Sequence, residues 1–222
     1  GISWGPELDG SQRTRFDGVG TAAYSAADND FEDYYRLGYT IINSISVAQA
    51  LEKANYRFSY SYLDNESIQP GSGYDRHNFS LKGGVDISSK LKLSTKIDYI
   101  RSNALNRPEL TDSQANSVKN LALRPRNISN SLLNDNYLND NGGPNNWNGA
   151  FIQNPYYVAN TRINSDKKDR YLGLVKLDYQ IINELSASLR ISQDQSTTNA
   201  VVFQPVGAFD IRPNGGMIDL PI

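Results

Sequence analysis

Apolar and polar side chains alternate along six segments of the chain. In the segment 55–64, "NYRFSYSYLD", aromatic rings occupy every second position, and small or charged polar groups lie between them. Successive side chains of a strand point to opposite faces, so this alternation predicts β-strands with one apolar and one polar face. The six segments are 37–49, 55–64, 77–88, 91–101, 170–181 and 185–195.

The length of the segments and the spacing between them favour a membrane barrel. Alternation over about ten residues matches membrane-spanning strands better than the 5–6 residues that are usual in soluble sheets. Short and long connections alternate, as they do in up-and-down outer-membrane barrels with short periplasmic turns and long extracellular loops. The short turns are predicted at 50–55, 88–90 and 182–184, and the long connections at 64–76, 103–168 and after Thr197.

In this interpretation, one face of the predicted sheet contacts lipid and the other lines a water-filled lumen. The face expected to meet lipid carries Tyr56, Phe58, Tyr60, Leu81, Val85, Val175 and Leu177. The face expected to line a wet lumen carries Ser59, Lys82, Lys96, Lys176 and Arg190. A soluble sandwich accounts for the alternation equally well, because its outer face is also polar. Strand length and loop asymmetry favour the barrel.

Composition changes this picture little. The formal net charge of -2 suggests neither nucleic acid nor an anionic surface as a partner. There is no cysteine for disulfides, and no apolar run approaches the ~18 residues of a membrane-spanning helix. The first ten residues lack the features of a signal peptide, and neither end is typical of a natural terminus. The sequence therefore predicts a fragment of a larger protein.

Short motifs give weak chemical signals. Gly18, Gly20 and Ala23 match a loose dinucleotide pattern, but without a preceding strand or a following helix a flexible loop is favoured. Ser165–Lys168 fits Ser-x-x-Lys, which is common by chance in a solvated loop, and the single histidine, His77, is predicted to be a polar residue at a strand end. These residues assemble no nucleophile, base and orienting group, so neither an enzyme nor a cofactor is predicted.

An acidic stretch is the weak candidate for calcium. Its oxygen ligands would come from Asp28, Asp30, Glu32 and Asp33, although a hydrated acidic loop is the favoured interpretation.

The longest connection, 103–168, is the candidate for ligand binding, because loops beyond ~12–15 residues are usually functional or disordered. Aromatic faces stack on sugar rings or peptide side chains, and amides supply donors and acceptors. The candidate residues are Tyr137, Asn145, Asn146, Trp147, Asn148, Tyr156 and Tyr157. The alternative is that the aromatics only fix the loop to its neighbours. A short helix within 111–123, N-capped by Thr111 or Asp112, is also predicted.

Several stretches in order resemble one family. The sequences "SWGPELDG" (3–10), "YYRLGYTIINSISV" (34–47), the run 56–102 and "NRPEL" (106–110) are similar to the early barrel strands of SusC/RagA-type TonB-linked outer-membrane proteins. The resemblance covers the first half of the chain most strongly, and beyond Asn127 it depends on strand rhythm. The stretch 46–59 departs from relatives, which often have a glycine-containing turn there.

The resemblance implies more than the pattern does. It implies that residues 1–222 are part of the barrel domain of a TonB-dependent receptor, a plugged 22-stranded barrel that imports an oligosaccharide or peptide across the outer membrane of a Gram-negative cell. It further implies a SusD-like surface lipoprotein as partner, and TonB acting through segments outside this chain. The alternative is a non-transporting outer-membrane or surface β protein that binds glycan or protein. A plug domain and TonB box upstream would distinguish the two.

Overall fold

The computed structural model describes residues 5–27, 31–148, 152–205, 208 and, for the backbone, 216–221. Within these ranges the strands are β1 (Gln12–Thr14), β2 (Thr21–Ala23), β3 (Tyr39–Ala50), β4 (Ala54–Glu66), β5 (Gly73–Asp86), β6 (Leu91–Leu105), β7 (Ile163–Ile182), β8 (Leu185–Gln204) and β9 (Gly216–Pro221). The helices are a 3-10 turn at Phe31–Tyr34, α1 (Ser117–Ala122), α2 (Asn130–Asp135) and α3 (Pro155–Thr161).

One antiparallel sheet dominates the fold. Strands β3 to β9 lie side by side in sequence order, and each pairs with the next along the chain. Six of them, β3 to β8, are 12 to 20 residues long, whereas β9 has 6. The prediction of an antiparallel up-and-down sheet with about six strands is therefore confirmed. Over the described residues the sheet is open, with β3 and β9 at its edges, and it does not close into a barrel.

Short turns alternate with longer connections, although the strands extend further than predicted. Turns of a few residues join β3 to β4, β5 to β6 and β7 to β8, at one end of the sheet. At the other end, β4 meets β5 across 67–72, while β6 and β7 are separated by 106–162. The predicted long connections 64–76 and 103–168 were thus too wide, and β8 continues past Thr197 to Gln204.

Three motif predictions need correction. Ser165–Lys168 lies within β7 and not in a loop. His77 lies inside β5, where its ring stacks on Tyr62 with centroids 4.7 Å apart, and not at a strand end. A strand does precede Gly18 and Gly20, because both occupy the turn of the β1–β2 hairpin with φ of 75° and 74°.

The strand register confirms that apolar and polar side chains are segregated. Phe58 and Leu81 are Cα partners in adjacent strands, and Ile97 continues the same row. One residue along, Lys82 partners both Arg57 and Lys96 on the opposite face. All twelve residues assigned to the two faces follow this parity: Tyr56, Phe58, Tyr60, Leu81, Val85, Val175 and Leu177 share one face, and Ser59, Lys82, Lys96, Lys176 and Arg190 share the other. We call these the apolar face and the polar face.

The buried core lies beside the sheet and not beneath it. Most of the buried apolar side chains belong to the connection between β6 and β7, and they include Leu121, Ile128, Leu133 and Tyr157. On the apolar face, by contrast, large side chains such as Phe58 remain exposed. No helix within the described ranges is long and apolar enough to cross a membrane.

Candidate functional site

The connection between β6 and β7 folds into a small unit at the long-loop end of the sheet. We call this unit the loop cluster, and define it as residues 106–148 and 152–162 together with 31–36. Its three short helices are each capped by a side chain that accepts a backbone N–H: Asn116 from Lys119 (3.2 Å), Ser129 from Leu132 (3.0 Å) and Asn154 from Tyr156 (3.0 Å). Such caps satisfy donors that a helix leaves unpaired. The predicted helix is present as α1, but Asn116 caps it instead of Thr111 or Asp112.

Buried amides hold the irregular parts of the loop cluster together. The side chain of Asn154 is fully buried, and its Nδ2 donates to the carbonyl oxygens of Leu133 (2.9 Å) and Asn145 (3.3 Å). Asn120, also fully buried, donates to the carbonyls of Gln114 (2.7 Å) and Gln153 (2.8 Å). Buried backbone carbonyls need such donors, so these two asparagines replace regular secondary structure as a source of hydrogen bonds.

The seven candidate ligand residues occupy different positions in this unit. Asn146 accepts the backbone N–H of Asn154 through its side-chain oxygen (2.7 Å), and the Asn145 N–H donates to the Tyr137 carbonyl (3.0 Å). These contacts give Asn145, Asn146 and Tyr137 a part in maintaining the loop. Tyr157 is buried, with 1% of its surface exposed, so its ring belongs to the core. Trp147, Asn148 and Tyr156 are partly exposed.

An aromatic cluster forms where the 3-10 turn packs on α3. The ring of Tyr34 lies 5.2 Å from that of Tyr35 and 5.2 Å from that of Tyr156, and the Phe31 ring lies 5.5 Å from that of Tyr35. Tyr34 is buried at the centre, whereas Phe31 is 38% exposed and Tyr35 and Tyr156 are partly exposed. The exposed edges offer an apolar surface that could stack on a sugar ring or an apolar side chain.

Electrostatics in this cluster follow from burial. Desolvation raises the pKa of Tyr34 to about 12 and also raises the pKa of Tyr156. Desolvation also lowers the pKa of Arg124. The positive charge of Arg124 partly offsets the rise in the pKa of Tyr156. All these tyrosines are therefore neutral at physiological pH, and they present hydroxyl groups that can donate and accept hydrogen bonds.

Sequence reasoning missed Phe31, Tyr34 and Tyr35. These residues follow the acidic stretch that suggested calcium, and the signal available was the density of aromatic rings in "FEDYY" (31–35). Of the four calcium candidates, Asp28 and Asp30 lie outside the described residues, whereas Glu32 and Asp33 lie in the 3-10 turn. In the part of the chain that the structure describes, no three carboxylates or histidines are grouped as a metal site would require.

The loop cluster is fixed to the sheet through the stretch "NRPEL". Asn106, at φ of 44°, donates from Nδ2 to the Gly71 carbonyl (3.1 Å), and its own carbonyl accepts from the Ser72 hydroxyl (2.6 Å). Arg107 forms a salt bridge with Asp166 of β7, which raises the pKa of Arg107. Glu109 and Arg162 are 2.7 Å apart in a second salt bridge. These contacts hold both ends of the long connection close to the β4–β5 loop.

Comparison with known proteins adds no relative. No protein-family model matches the chain, and no curated protein matches it significantly. The basis for a function is therefore the sheet, the loop cluster and the resemblance in sequence.

Proposed function

We propose that this chain is part of the barrel wall of a SusC/RagA-type TonB-dependent transporter, which imports an oligosaccharide or peptide across the outer membrane. The observation that carries the proposal is the apolar face of the sheet. It spans all six long strands, it is exposed, and no second sheet or helix among the described residues covers it. Soluble proteins rarely leave so large an apolar surface open.

The height of the apolar band fits a bilayer. On β7 the apolar face runs from Tyr171 to Tyr179. At ~3.3 Å per residue this is about 26 Å along the strand. A strand tilt of ~40° reduces it to about 20 Å along the membrane normal, close to the ~25 Å apolar band of outer-membrane barrels.

A row of aromatic rings ends this band. Tyr60, Phe79, Tyr99 and Tyr171 are successive Cα partners across β4 to β7, and neighbouring ring centroids lie 4.8, 6.0 and 4.8 Å apart. In the next row towards the long loops, Tyr62 is followed by the polar residues His77, Arg101 and Asp169. Aromatic girdles of this kind mark the membrane interface in barrels, and the long loops beyond this row support an orientation in which they lie outside the cell.

The function is tested with the intact gene product in its native host. We expect the protein in the outer-membrane fraction. We also expect deletion of its gene, or of TonB, to abolish uptake of at least one member of a labelled panel of oligosaccharides and oligopeptides. A soluble intact protein, or uptake that does not depend on TonB, would contradict the proposal.

Ligand contact is assigned to the loop cluster, because exposed aromatic edges and polar amides meet there on the extracellular side of the proposed barrel. The test variants are Trp147→Ala and Tyr156→Ala, and the control is Leu138→Ala, which removes a side chain that is 43% exposed. Tyr157 is unsuitable because truncating a buried ring would disturb the core. We expect weaker binding of the imported ligand by calorimetry for the first two variants and no change for the control. Unchanged affinity in all three would assign recognition elsewhere.

A SusD-like lipoprotein is proposed to cover the loop cluster. The proposal depends on the family resemblance, and it predicts that the intact protein co-purifies with such a lipoprotein. Repeated isolation without one would favour a receptor that lacks a lid.

The second candidate function is a surface β protein that binds glycan or protein without transport. The aromatic cluster favours it as much as it favours import, because stacking on a ligand is common to both. A plug domain and TonB box in the intact gene product would support import, and their absence would support the binding protein.

A further inference from the structure

Five cations are concentrated on the polar face, and they lie closer to the short turns than to the loop cluster. They are Arg57, Lys82, Lys96, Lys176 and Arg190, and we call them the basic patch. The chain as a whole has a net charge of -2, so this concentration is local.

Strand register places the five cations in two adjacent rows. Arg57, Lys82 and Lys96 are successive Cα partners across β4, β5 and β6. Lys176 and Arg190 are Cα partners across β7 and β8, in the neighbouring row. Directly opposed residues on one face have Cβ atoms ~5 Å apart, and like charges in such positions are destabilising. The sequence thus maintains an arrangement that the isolated sheet does not favour.

Carboxylates neutralise only part of the patch. Lys96 pairs with Asp98 at 2.6 Å, and Lys176 pairs with Asp178 at 2.7 Å. The other three cations, Arg57, Lys82 and Arg190, form no salt bridge with the residues that the structure describes, and all three are exposed. Salt bridges therefore neutralise two of the five cations, and the charge of the other three is left for an external anion.

On β3, β4 and β5 the residues around the basic patch are small and polar, whereas on β7 Leu174 is the Cα partner of Lys96. Ser46, Ser59 and Ser80 are successive partners in the row on one side. Gly84 and Ser94 lie in the row of Lys176 and Arg190 on the other. Short side chains leave the charged groups accessible. The Ser80 hydroxyl donates to Asp98 (2.5 Å), whereas the Ser46 hydroxyl accepts from Arg57 (3.4 Å) and can still donate to an anion. The patch is therefore open to a solute on the side of β4 and β5.

We propose that the basic patch binds a solute that carries several carboxylate groups, either an acidic oligopeptide or an acidic oligosaccharide. Hydrogen bonds from arginine and lysine to carboxylates are charge-assisted, and a ligand with carboxylates along its length can contact both rows. The inference extends the proposed function, since only in a barrel wall does the polar face line a channel through which an imported solute passes.

The experiment uses the intact protein, purified in detergent. The probes are tri-glutamate and tri-galacturonate, with tri-alanine and a neutral trisaccharide for comparison, and affinities are measured by calorimetry at low and high salt. We expect at least one acidic probe to bind, neither neutral probe to bind comparably, and the affinity to fall as salt screens the charges. The acidic probe that binds more tightly identifies the source of the carboxylates.

Charge-matched variants locate the site. The triple variant Arg57→Gln, Lys82→Gln and Arg190→Gln removes the unpaired cations. The control triple, Lys53→Gln, Arg101→Gln and Lys167→Gln, removes the same charge outside both the patch and the loop cluster. We expect the first to weaken binding by roughly tenfold or more, since one decade requires only about 1.4 kcal/mol, and the control to bind like the parent. The single variant Arg190→Gln serves if the triple variant does not assemble, and should weaken binding severalfold.

Two results would overturn the inference: no binding of either acidic probe, or equal binding by the parent and the patch variants. Because these measurements need no transport, they separate it from the proposed function. A protein that inserts in the outer membrane but binds no acidic probe refutes only the basic patch. A protein that is absent from that membrane refutes the barrel itself.

Discussion

The sheet and the loop cluster bury apolar surface in opposite ways. In the loop cluster, residues from distant parts of a polar stretch converge, and Leu121, Leu133 and Tyr157 are each at most 4% exposed. In the sheet, regular alternation collects the apolar side chains on one face and leaves them open, as with Phe58 and Leu81, each 43% exposed.

The difference shows where each region obtains its stability. The loop cluster contains its own core and its own hydrogen-bond donors, so it can be ordered by contacts within the chain. The sheet satisfies its backbone groups internally, but the burial of its apolar face must come from outside the described residues. Lipid supplies this in the proposed barrel, and the remaining strands of the wall would pair the edges at β3 and β9.

The largest expected effect is on the chain taken out of that environment. We expect residues 1–222, expressed alone in buffer without detergent, to self-associate through the apolar face, and sedimentation velocity would detect a broad range of large species. A single monomeric species would contradict this difference between the two regions, because the sheet would then be stable in water without any cover on its apolar face. A discrete dimer would instead favour a sandwich of two sheets.

Truncation of the core should affect the loop cluster and spare the sheet. Leu133→Ala removes a fully buried side chain, and such changes cost ~2–5 kcal/mol. In the intact protein we expect rapid proteolysis within 106–162 while barrel assembly is retained. Leu138→Ala, at an exposed position, is the matched control. Loss of assembly in the Leu133 variant would show that the sheet depends on the cluster.

A charge on the apolar face should impair assembly of the sheet and leave the loop cluster intact. Val175→Arg places a cation near the middle of the apolar band, at a cost of ~2–4 kcal/mol if that band meets lipid. Lys176→Arg, one residue along on the polar face, is the control. We expect heat-modifiable electrophoretic migration to show fewer assembled barrels for the first variant only. Equal assembly of both would remove the assignment of lipid and lumen.

The smallest effect concerns alkaline pH in the loop cluster. The pKa of Tyr34 rises from an ordinary 10.0 to about 12 on burial, so the unfolded state loses its proton first as pH increases. Tyr34 therefore favours the ordered cluster fully below pH 10, and this contribution is lost progressively between pH 10 and about 12. We expect protease sensitivity of 106–162 to increase over that range, and to increase less in Tyr34→Phe. An identical pH profile in the variant would assign the effect to Tyr35, Tyr156 or Tyr157, whose pKa values burial also raises.

The faces of the sheet could be predicted from sequence because a period of two is a local property. The alternation within a single strand shows which of its side chains share a face, and no information about the partner strand is needed. Strand ends were harder. Residues 165–168 are polar at every position, so they show no alternation, although β8 pairs with all four of them and β6 pairs with 166–168.

The loop cluster could not be predicted in the same way. Its hydrogen bonds join residues that are far apart in sequence, such as Asn154 to Leu133 and Asn120 to Gln153. The aromatic cluster joins Tyr34 to Tyr156 across even more of the chain. Composition alone predicts solvation for such asparagine-rich stretches, and only the tertiary contacts show that some of these amides are buried.

The pairing of each strand with its neighbour also has a kinetic consequence. The hairpins β3–β4, β5–β6 and β7–β8 close across short turns, at little cost in loop entropy, whereas β6 and β7 must meet across 106–162. The contact of Arg107 with Asp166 reduces the effective length of that loop once both ends are in place. We expect the three hairpins to form early as units and the seam between β6 and β7 to close late, so that this seam limits the rate at which the wall assembles.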